Sequence, residues 1–277
     1  MSEVFKIVNG AKDFHGVQAI KNVNFSLLKG EIHSLLGENG AGKSTMTKVV
    51  AGVYQLSSGE LFFESKKATF NTPSEALKNG VVMVFQENSL VPNMTVSQNL
   101  YLGAERYFNS LARLNIRASR FLQSLNFNVD PNLLVSQLGA AQKQMVEIAR
   151  AVHHNAKVII FDEPTATLTP EEKHHFFGLM QRLKAQGVSI VFISHALEEA
   201  LQNSDRITVL RDGEIIETDL ASKFTRERIV KAMIGRDLSD SAYAGSGGSK
   251  RKSRDRGEKV LEVENLSMGS MVKNSTF

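Results

Sequence analysis

Residues 37–45 read Gly37-Glu38-Asn39-Gly40-Ala41-Gly42-Lys43-Ser44-Thr45 and follow directly on the run Ile32 to Leu36. This stretch constrains the fold more than any other, because a loop of this composition does its work only between a strand and a helix. Glycines at 37, 40 and 42 let the backbone wrap closely around phosphate oxygens. Several N–H donors and the N-terminus of the following helix then point at one anion. Lys43 is spaced to reach the β and γ phosphates, and the Ser44 hydroxyl to ligate Mg²⁺. The implied ligand is a nucleoside triphosphate.

The rest of the chain agrees with an α/β reading. Val4 to Val8, Val23 to Leu27 and Ile32 to Leu36 have strand patterning, Lys43 to Ala51 is a helix, and Gly59 to Glu64 is a further strand. Val81 to Phe85, Val158 to Phe161 and Ser189 to Ile193 are nearly continuous apolar runs, as buried parallel strands are. Helical spacing dominates between them, notably at Gln142 to Val152 and Glu171 to Ala185. The expected fold is a phosphate-loop α/β domain with a mostly parallel sheet and an antiparallel N-terminal β-subdomain. An inserted α-helical subdomain is expected over about 88–150, its helical pattern clearest from Val96 to Val129.

A second cluster of chemistry lies in Val158-Ile159-Ile160-Phe161-Asp162-Glu163, four apolar residues that end abruptly in two carboxylates. Adjacent acids are costly inside a buried strand. At the carboxyl end of a strand, where α/β proteins place ligands, they acquire a purpose. Asp162 is suited to hold Mg²⁺ through water, and Glu163 to polarise the attacking water.

Composition excludes several other chemistries. The 277 residues contain no cysteine, which removes disulfides, thiolate metal sites and cysteine nucleophiles together and is compatible with the cytosol. Glu3 and Lys6 interrupt any apolar leader, and no run approaches the roughly 18 apolar residues needed to cross a bilayer. The net charge of +4 owes much to Lys250-Arg251-Lys252-Ser253-Arg254-Asp255-Arg256, which follows Gly245-Ser246-Gly247-Gly248-Ser249. With no aromatic residue among those charges for base stacking, the segment reads as a flexible solvated linker, and no nucleic-acid partner is expected. His153-His154 and His174-His175 lack companion acids at metal spacing and read as surface residues.

In this order the motifs resemble the ATP-binding subunit of an ATP-binding cassette (ABC) transporter, over nearly the whole chain. The resemblance implies ATP as the nucleotide, bound through residues 37–45. It makes Gln86, in Val84-Phe85-Gln86-Glu87, a glutamine-loop residue that contacts Mg²⁺ and the attacking water. Leu138-Gly139-Ala140-Ala141-Gln142 takes the signature position, Thr167-Leu168-Thr169 the D-loop, His195 the switch histidine, and Phe14 the aromatic that stacks on adenine. Lys43, Gln86, Glu163 and His195 are then the catalytic set, with Ser44, Gln86 and Asp162 around the metal.

Within the family, Gln86 to Gly103 and Gln142 to Arg150 are most similar to the ATPases that energise import of simple sugars such as ribose, galactose, xylose and arabinose. That likeness implies a second cassette, fused or homodimeric, and transmembrane permease subunits as partners. It also implies an extracytoplasmic sugar-binding protein acting indirectly, and a peripheral place on the cytoplasmic face of the membrane. Such proteins usually carry two fused cassettes. Here Val4 to Asn9 recurs in pattern as Val260 to Asn265, and Ile20 to Phe25 as Val272 to Phe277. The expected organisation is a cassette over 1–240, a basic linker over 241–259 and the start of an incomplete second cassette over 260–277.

One departure bears on mechanism: Gly139 stands where the family usually has a serine whose hydroxyl meets the γ-phosphate held by the opposing cassette. Two other readings stay open at this level. One is a soluble tandem-cassette ATPase acting on the ribosome or DNA; the other is a non-transporting ATP-binding module.

Overall fold

The computed structural model describes residues 2–85, 89–103, 110–154, 156–235, 265–268 and 272–275. Residues 1–236 form one compact unit and 237–277 a second. In the first unit the chain opens with two long strands, β1 (Glu3–Phe14) and β2 (Val17–Leu28), joined at His15 and Gly16, both with positive φ. Two successive positive-φ residues make the tight turn whose twist suits a two-residue hairpin. With β4 (Ser58–Phe63) and β5 (Lys66–Ala68) these strands form an antiparallel sheet in the order β2-β1-β4-β5.

The second sheet supports the site. Its order is β10-β9-β3-β8-β7-β6, where β3 is Ile32–Leu36, β6 Val81–Val84, β7 Val158–Asp162, β8 Ser189–Ile193, β9 Arg206–Arg211 and β10 Glu214–Leu220. All neighbours in it are parallel except β10, which returns antiparallel along β9. Every residue of β3, β7 and β8 is buried, which is why these segments read as continuous runs rather than alternating ones. Eight α-helices complete the unit among the described residues: α1 (Lys43–Val50), α2 (Pro73–Lys78), α3 (Val96–Tyr101), α4 (Leu111–Ser124), α5 (Ala140–His153), α6 (Pro170–Ala185), α7 (Leu197–Asn203) and α8 (Arg226–Ile234).

Local chemistry sets several helix ends. Thr95 begins α3 and Thr169 begins α6 with reciprocal capping boxes closed by Gln98 and Glu172, and Pro170 takes the first turn of α6. Gly235 ends α8 in the left-handed conformation. The expected α/β architecture with its antiparallel N-terminal sheet is what the chain adopts, and residues 96–153 supply the helices α3 to α5. The cores follow the layers. One apolar cluster runs from α3, α4 and α5 across one face of the parallel sheet to Phe176 and Leu179 of α6. A second joins the N-terminal sheet to α1 and the opposite face.

His153 corrects the surface assignment of the histidines. It is half-buried, its ring edge-on to Tyr101 of α3 at 4.6 Å and to Phe121 of α4 at 5.4 Å, and burial lowers its pKa. It packs helices together, a role that only the meeting of α3, α4 and α5 defines.

The second unit contributes a short antiparallel pair, β11 (Leu266–Met268) and β12 (Val272–Ser275). Leu266 faces Ser275 and Met268 faces Val272, with a register slip between them. In the first unit Gly10 faces Val23 and Lys12 faces Ile20, with the same slip. The sequence repeat aligns these positions with one another. Asn9 and its counterpart Asn265 also share a left-handed backbone, φ 48° and 53°. Residues 241–259, read as linker, lie outside the described residues.

Candidate active site

The parallel sheet brings three distant segments side by side. β8 lies between β3 and β7, with Leu35 beside Ile193 and Asp162 beside Ile193, so Gly37, Asp162 and Ser194 emerge at neighbouring strand ends. This is the edge at which α/β sheets bind ligands.

The loop after β3 is a preformed cradle. Gly37, Gly40 and Gly42 all have positive φ, and Gly42 is the residue from which α1 starts. A Cβ on Gly37 would meet the Leu210 carbonyl at 2.3 Å, and one on Gly42 the Ala19 carbonyl at 2.5 Å, so glycine is required at both for space as well as backbone. Around Gly40 nothing lies within 4 Å, which leaves the mouth of the loop open. Glu38, Asn39 and Gly40 are exposed, whereas Ala41 and Gly42 are buried. Ala41 accepts from the Gly213 N–H at 3.1 Å, and the Gly213 carbonyl accepts from Lys21 at 2.7 Å, so the β9–β10 turn braces the loop. Asp212-Gly213, both at positive φ, is the strongest short hairpin signal a sequence carries.

Lys43 is buried, and its Nζ donates to the carbonyls of Gly37 at 2.8 Å and Glu38 at 3.0 Å. Desolvation lowers its pKa, opposed by the nearby Glu163 and Asp162 carboxylates. Asp162, also buried, accepts from Ser44 Oγ at 3.4 Å, and burial raises its pKa. A hydroxyl and a carboxylate at the foot of an anion cradle are hard oxygen donors suited to Mg²⁺, so the residues present fit the ion. Thr45 is half-buried on the first turn of α1.

Glu163 follows Asp162 with φ 53°, a left-handed conformation that a non-glycine residue holds only when its surroundings insist. Its N–H donates to Ile193 O at 3.1 Å, and its Oε1 sits 2.5 Å from His195 Nε2. The residue after β7 is therefore joined twice to β8 and its following loop, by backbone to Ile193 and by side chain to His195. Glu163 is largely buried at 13% side-chain exposure, while His195 stands half-exposed at 49%.

Phe14 closes β1 and is half-buried, edge-on to Tyr54 at 5.0 Å, with Lys12 Nζ 5.0 Å from the Phe14 ring. An aromatic pair with a cation above it is suited to stacking a nucleobase. Tyr54 is a member the sequence did not single out. The signature residues lie at the start of α5, where Leu138 is buried, Gly139 and Ala140 are exposed, and Ala141 and Gln142 are half-buried. Gly139 donates to Gln142 Oε1 at 3.2 Å and has no side chain with which to cap the helix. None of the described signature hydrogen bonds reaches the phosphate loop. In the D-loop only Leu168 is buried, and Thr169 caps α6. Gln86 lies outside the described residues.

A profile of the family described as "ABC transporter" matches residues 20–166, from β2 through the phosphate loop to just beyond Glu163. The chain belongs to the ABC transporter family.

Among curated proteins, this ABC chain is 42% identical over 282 residues to the galactose/methyl galactoside import ATP-binding protein MglA of Clostridium perfringens, covering 100% of this chain and 53% of that protein. It is 38% identical over 277 residues to the ribose import ATP-binding protein RbsA of Chelativorans sp., covering 100% and 54%. The chain thus spans about half the length of the curated relatives it matches. Among solved structures, the ADP conformation of MJ1267, an ATP-binding cassette of an ABC transporter, superposes with a TM-score of 0.71 at 28% identity, covering 88% of this chain and 100% of that one. The dimeric post-hydrolysis state of the cassette MJ0796, bound to ADP and Pi, gives 0.70 at 27% identity, covering 79% and 100%. The fold is that of an ABC cassette. Among the described residues, no helix is long and apolar enough to cross a membrane.

Proposed function

We propose that this chain is an ATP-hydrolysing cassette that powers import of a monosaccharide through partner membrane subunits. The observation that carries the reading is the meeting of Lys43, Ser44, Asp162, Glu163 and His195 at adjacent strand ends, with Glu163 and His195 in contact at 2.5 Å. The relatives whose names describe import of galactose, methyl galactoside and ribose support the sugar class, and favour import over action on the ribosome or DNA. The dimeric MJ0796 cassette supports a second cassette as partner.

The proposed chemistry is phosphoryl transfer to water. Phe14, with Tyr54 behind it, stacks the adenine. The 37–45 backbone and the Lys43 ammonium, leaving the Gly37 and Glu38 carbonyls, take the β and γ phosphates. Ser44 and Asp162 are the residues that would hold Mg²⁺, with Gln86 assigned to the same group. Bound there, the ion supplies neutralisation of charge on the phosphates. Glu163 Oε1 orients water and accepts its proton, and His195 Nε2 moves from Glu163 to the γ-phosphate. The signature, Leu138 to Gln142, faces the nucleotide of an opposing cassette. There Gly139 leaves one hydroxyl fewer, which weakens the partner's site and not the one built on Lys43. Binding closes the pair of cassettes and hydrolysis reopens them, moving permease subunits on the cytoplasmic face of the membrane.

The proposed organisation is a cassette over 1–240 with its helical subdomain over 88–150, a linker over 241–259, and from 260 a second copy of the cassette's opening. The matched register of β11–β12 and β1–β2 supports that last assignment.

The test is Glu163→Gln in the full chain. ATP affinity stays within about twofold while steady-state hydrolysis falls by about 10²–10⁴, the range for loss of a general base. Retained turnover would refute the role of Glu163. Co-purification with a polytopic permease tests the transport assignment separately.

A further inference from the structure

Glu199 lies in α7, four residues beyond His195, and the motif reading assigns it nothing. Its carboxylate is nonetheless shared between both loops that carry the proposed chemistry. Oε2 accepts from Thr165 Oγ1 at 2.7 Å and from Ser194 Oγ at 3.0 Å. Oε1 pairs with Lys173 Nζ of α6 at 2.8 Å. Thr165 is two residues past Glu163 and Ser194 is immediately before His195, and both are buried, at 4% and 3% exposure. Ser194 Oγ also accepts from the Ala196 N–H at 3.0 Å, so the hydroxyl that Glu199 fixes grips the backbone on the far side of His195.

We infer that Glu199 is a positioning residue that locks the Glu163 and His195 loops into one register. This rests on the ATPase reading above for its functional consequence, though not for its geometry. Glu163 is held at φ 53°, a conformation that a non-glycine residue keeps only where neighbours over-determine it. His195 is half-exposed and has little packing of its own to keep it facing Glu163. Two hydroxyls from different loops donating to a single carboxylate oxygen give charge-assisted bonds, and a satisfied network of this kind selects one arrangement. Lys173 anchors the other oxygen to α6, the helix that starts where Thr167-Leu168-Thr169 ends.

The test compares the full chain with Glu199→Ala and Glu199→Gln in Mg-ATP. The amide of glutamine keeps an oxygen that can accept from both hydroxyls. In Glu199→Ala, kcat falls about ten- to a hundredfold with KM and ATP affinity within about twofold, the signature of lost preorganisation. Glutamine restores kcat to within about fivefold of the parent, as retention of the hydroxyl bonds requires. Amide hydrogen exchange supplies a readout independent of activity: in Glu199→Ala, residues 163–168 and 194–196 exchange at least about tenfold faster while α1 is unchanged. Unchanged kcat and exchange overturn the inference. So does a loss of kcat that accompanies lower ATP affinity and faster exchange throughout the chain, which marks a merely structural residue. Should the alanine variant fail to fold, Thr165→Val and Ser194→Ala each cut one arm; each lowers kcat several-fold and the pair is less than additive, whereas strict additivity counts against a shared clamp. A parent chain that binds ATP without hydrolysing it sinks the ATPase reading, and the exchange comparison still decides the clamp.

Discussion

The two ends of the cassette that would face nucleotide are built on opposite terms. At the strand ends of the parallel sheet, Lys43 and Asp162 are buried ionisable groups, one pushed down in pKa and one pushed up by desolvation, and Glu163 is held in a left-handed backbone. Stability has been given up there so that oxygen and nitrogen atoms stand ready in fixed places. At the start of α5 the terms reverse. Gly139 is exposed, unstrained at φ −68°, has open space around it and no side-chain cap. The contrast separates the half of the proposed chemistry that is internal to this chain from the half that would be offered to another cassette.

The most direct attack on that contrast is Lys43→Ala. Removing the ammonium takes away charge-assisted bonds to phosphate, and nucleotide affinity measured by calorimetry should fall about ten- to a hundredfold. Next comes Asp162→Asn. Burial raises the carboxyl pKa, so ionising Asp162 costs more in the folded protein than in the unfolded chain. Its contribution to stability is complete below the ordinary value of 3.8 and is lost as pH rises through the raised one. The asparagine variant should therefore be more stable than the parent at neutral pH by roughly 1–2 kcal/mol, in thermal melts without ligand. That advantage should vanish in acid, and the variant should lose stabilisation by Mg-ATP. A parent as stable as the variant at pH 7 would show that Asp162 carries no such burden.

His33 sharpens the same side of the comparison by a different route. It is fully buried on β3, donating or accepting with Thr208 at 2.7 Å and lying 3.4 Å from Glu31, and desolvation lowers its pKa. A base whose folded pKa is depressed resists protonation in the fold. Stability is therefore intact above its ordinary 6.5 and is lost as pH falls below that value toward the depressed one. Denaturant melts should show up to about 1.4 kcal/mol per pH unit of this loss in the parent, and His33→Asn should flatten it.

Gly139→Ser is the smallest change and tests the open side. Its backbone suits an L residue and a Cβ meets nothing within 4 Å, so the variant should gain a few tenths of a kcal/mol as a helix cap. In a cassette dimer it should also raise turnover at the partner's nucleotide, leaving the site on Lys43 unchanged. Equal rates at the two sites before the substitution would remove the proposed asymmetry.

Some of this was legible in the chain by itself. Gly37 to Thr45 defines its strand–loop–helix setting because glycine spacing and a lysine at one position satisfy so few other purposes. Val158 to Glu163 reads as a buried strand with a functional end because apolar continuity and paired acids have opposite solvent demands. The β9–β10 hairpin was scarcely legible: Arg206 to Leu220 mixes charged and apolar residues, and only its Asp-Gly turn marks it. The packing role of His153 was not legible, because a histidine's neighbours on other helices leave no trace in its local sequence.

The sequence determined the ligand class, the α/β framework and the order of the motifs, since these depend on spacing along the chain. Only the tertiary structure decided that Glu163 touches His195, that Glu199 reaches both Thr165 and Ser194, and that Gly213 braces the loop around Lys43. Apart from Glu199 with Ser194, five positions away, such contacts join residues from about thirty to more than 170 positions apart. They are decided by strand order in the sheet, where β8 comes to lie between β3 and β7, and strand order is a property of packing that no single segment encodes.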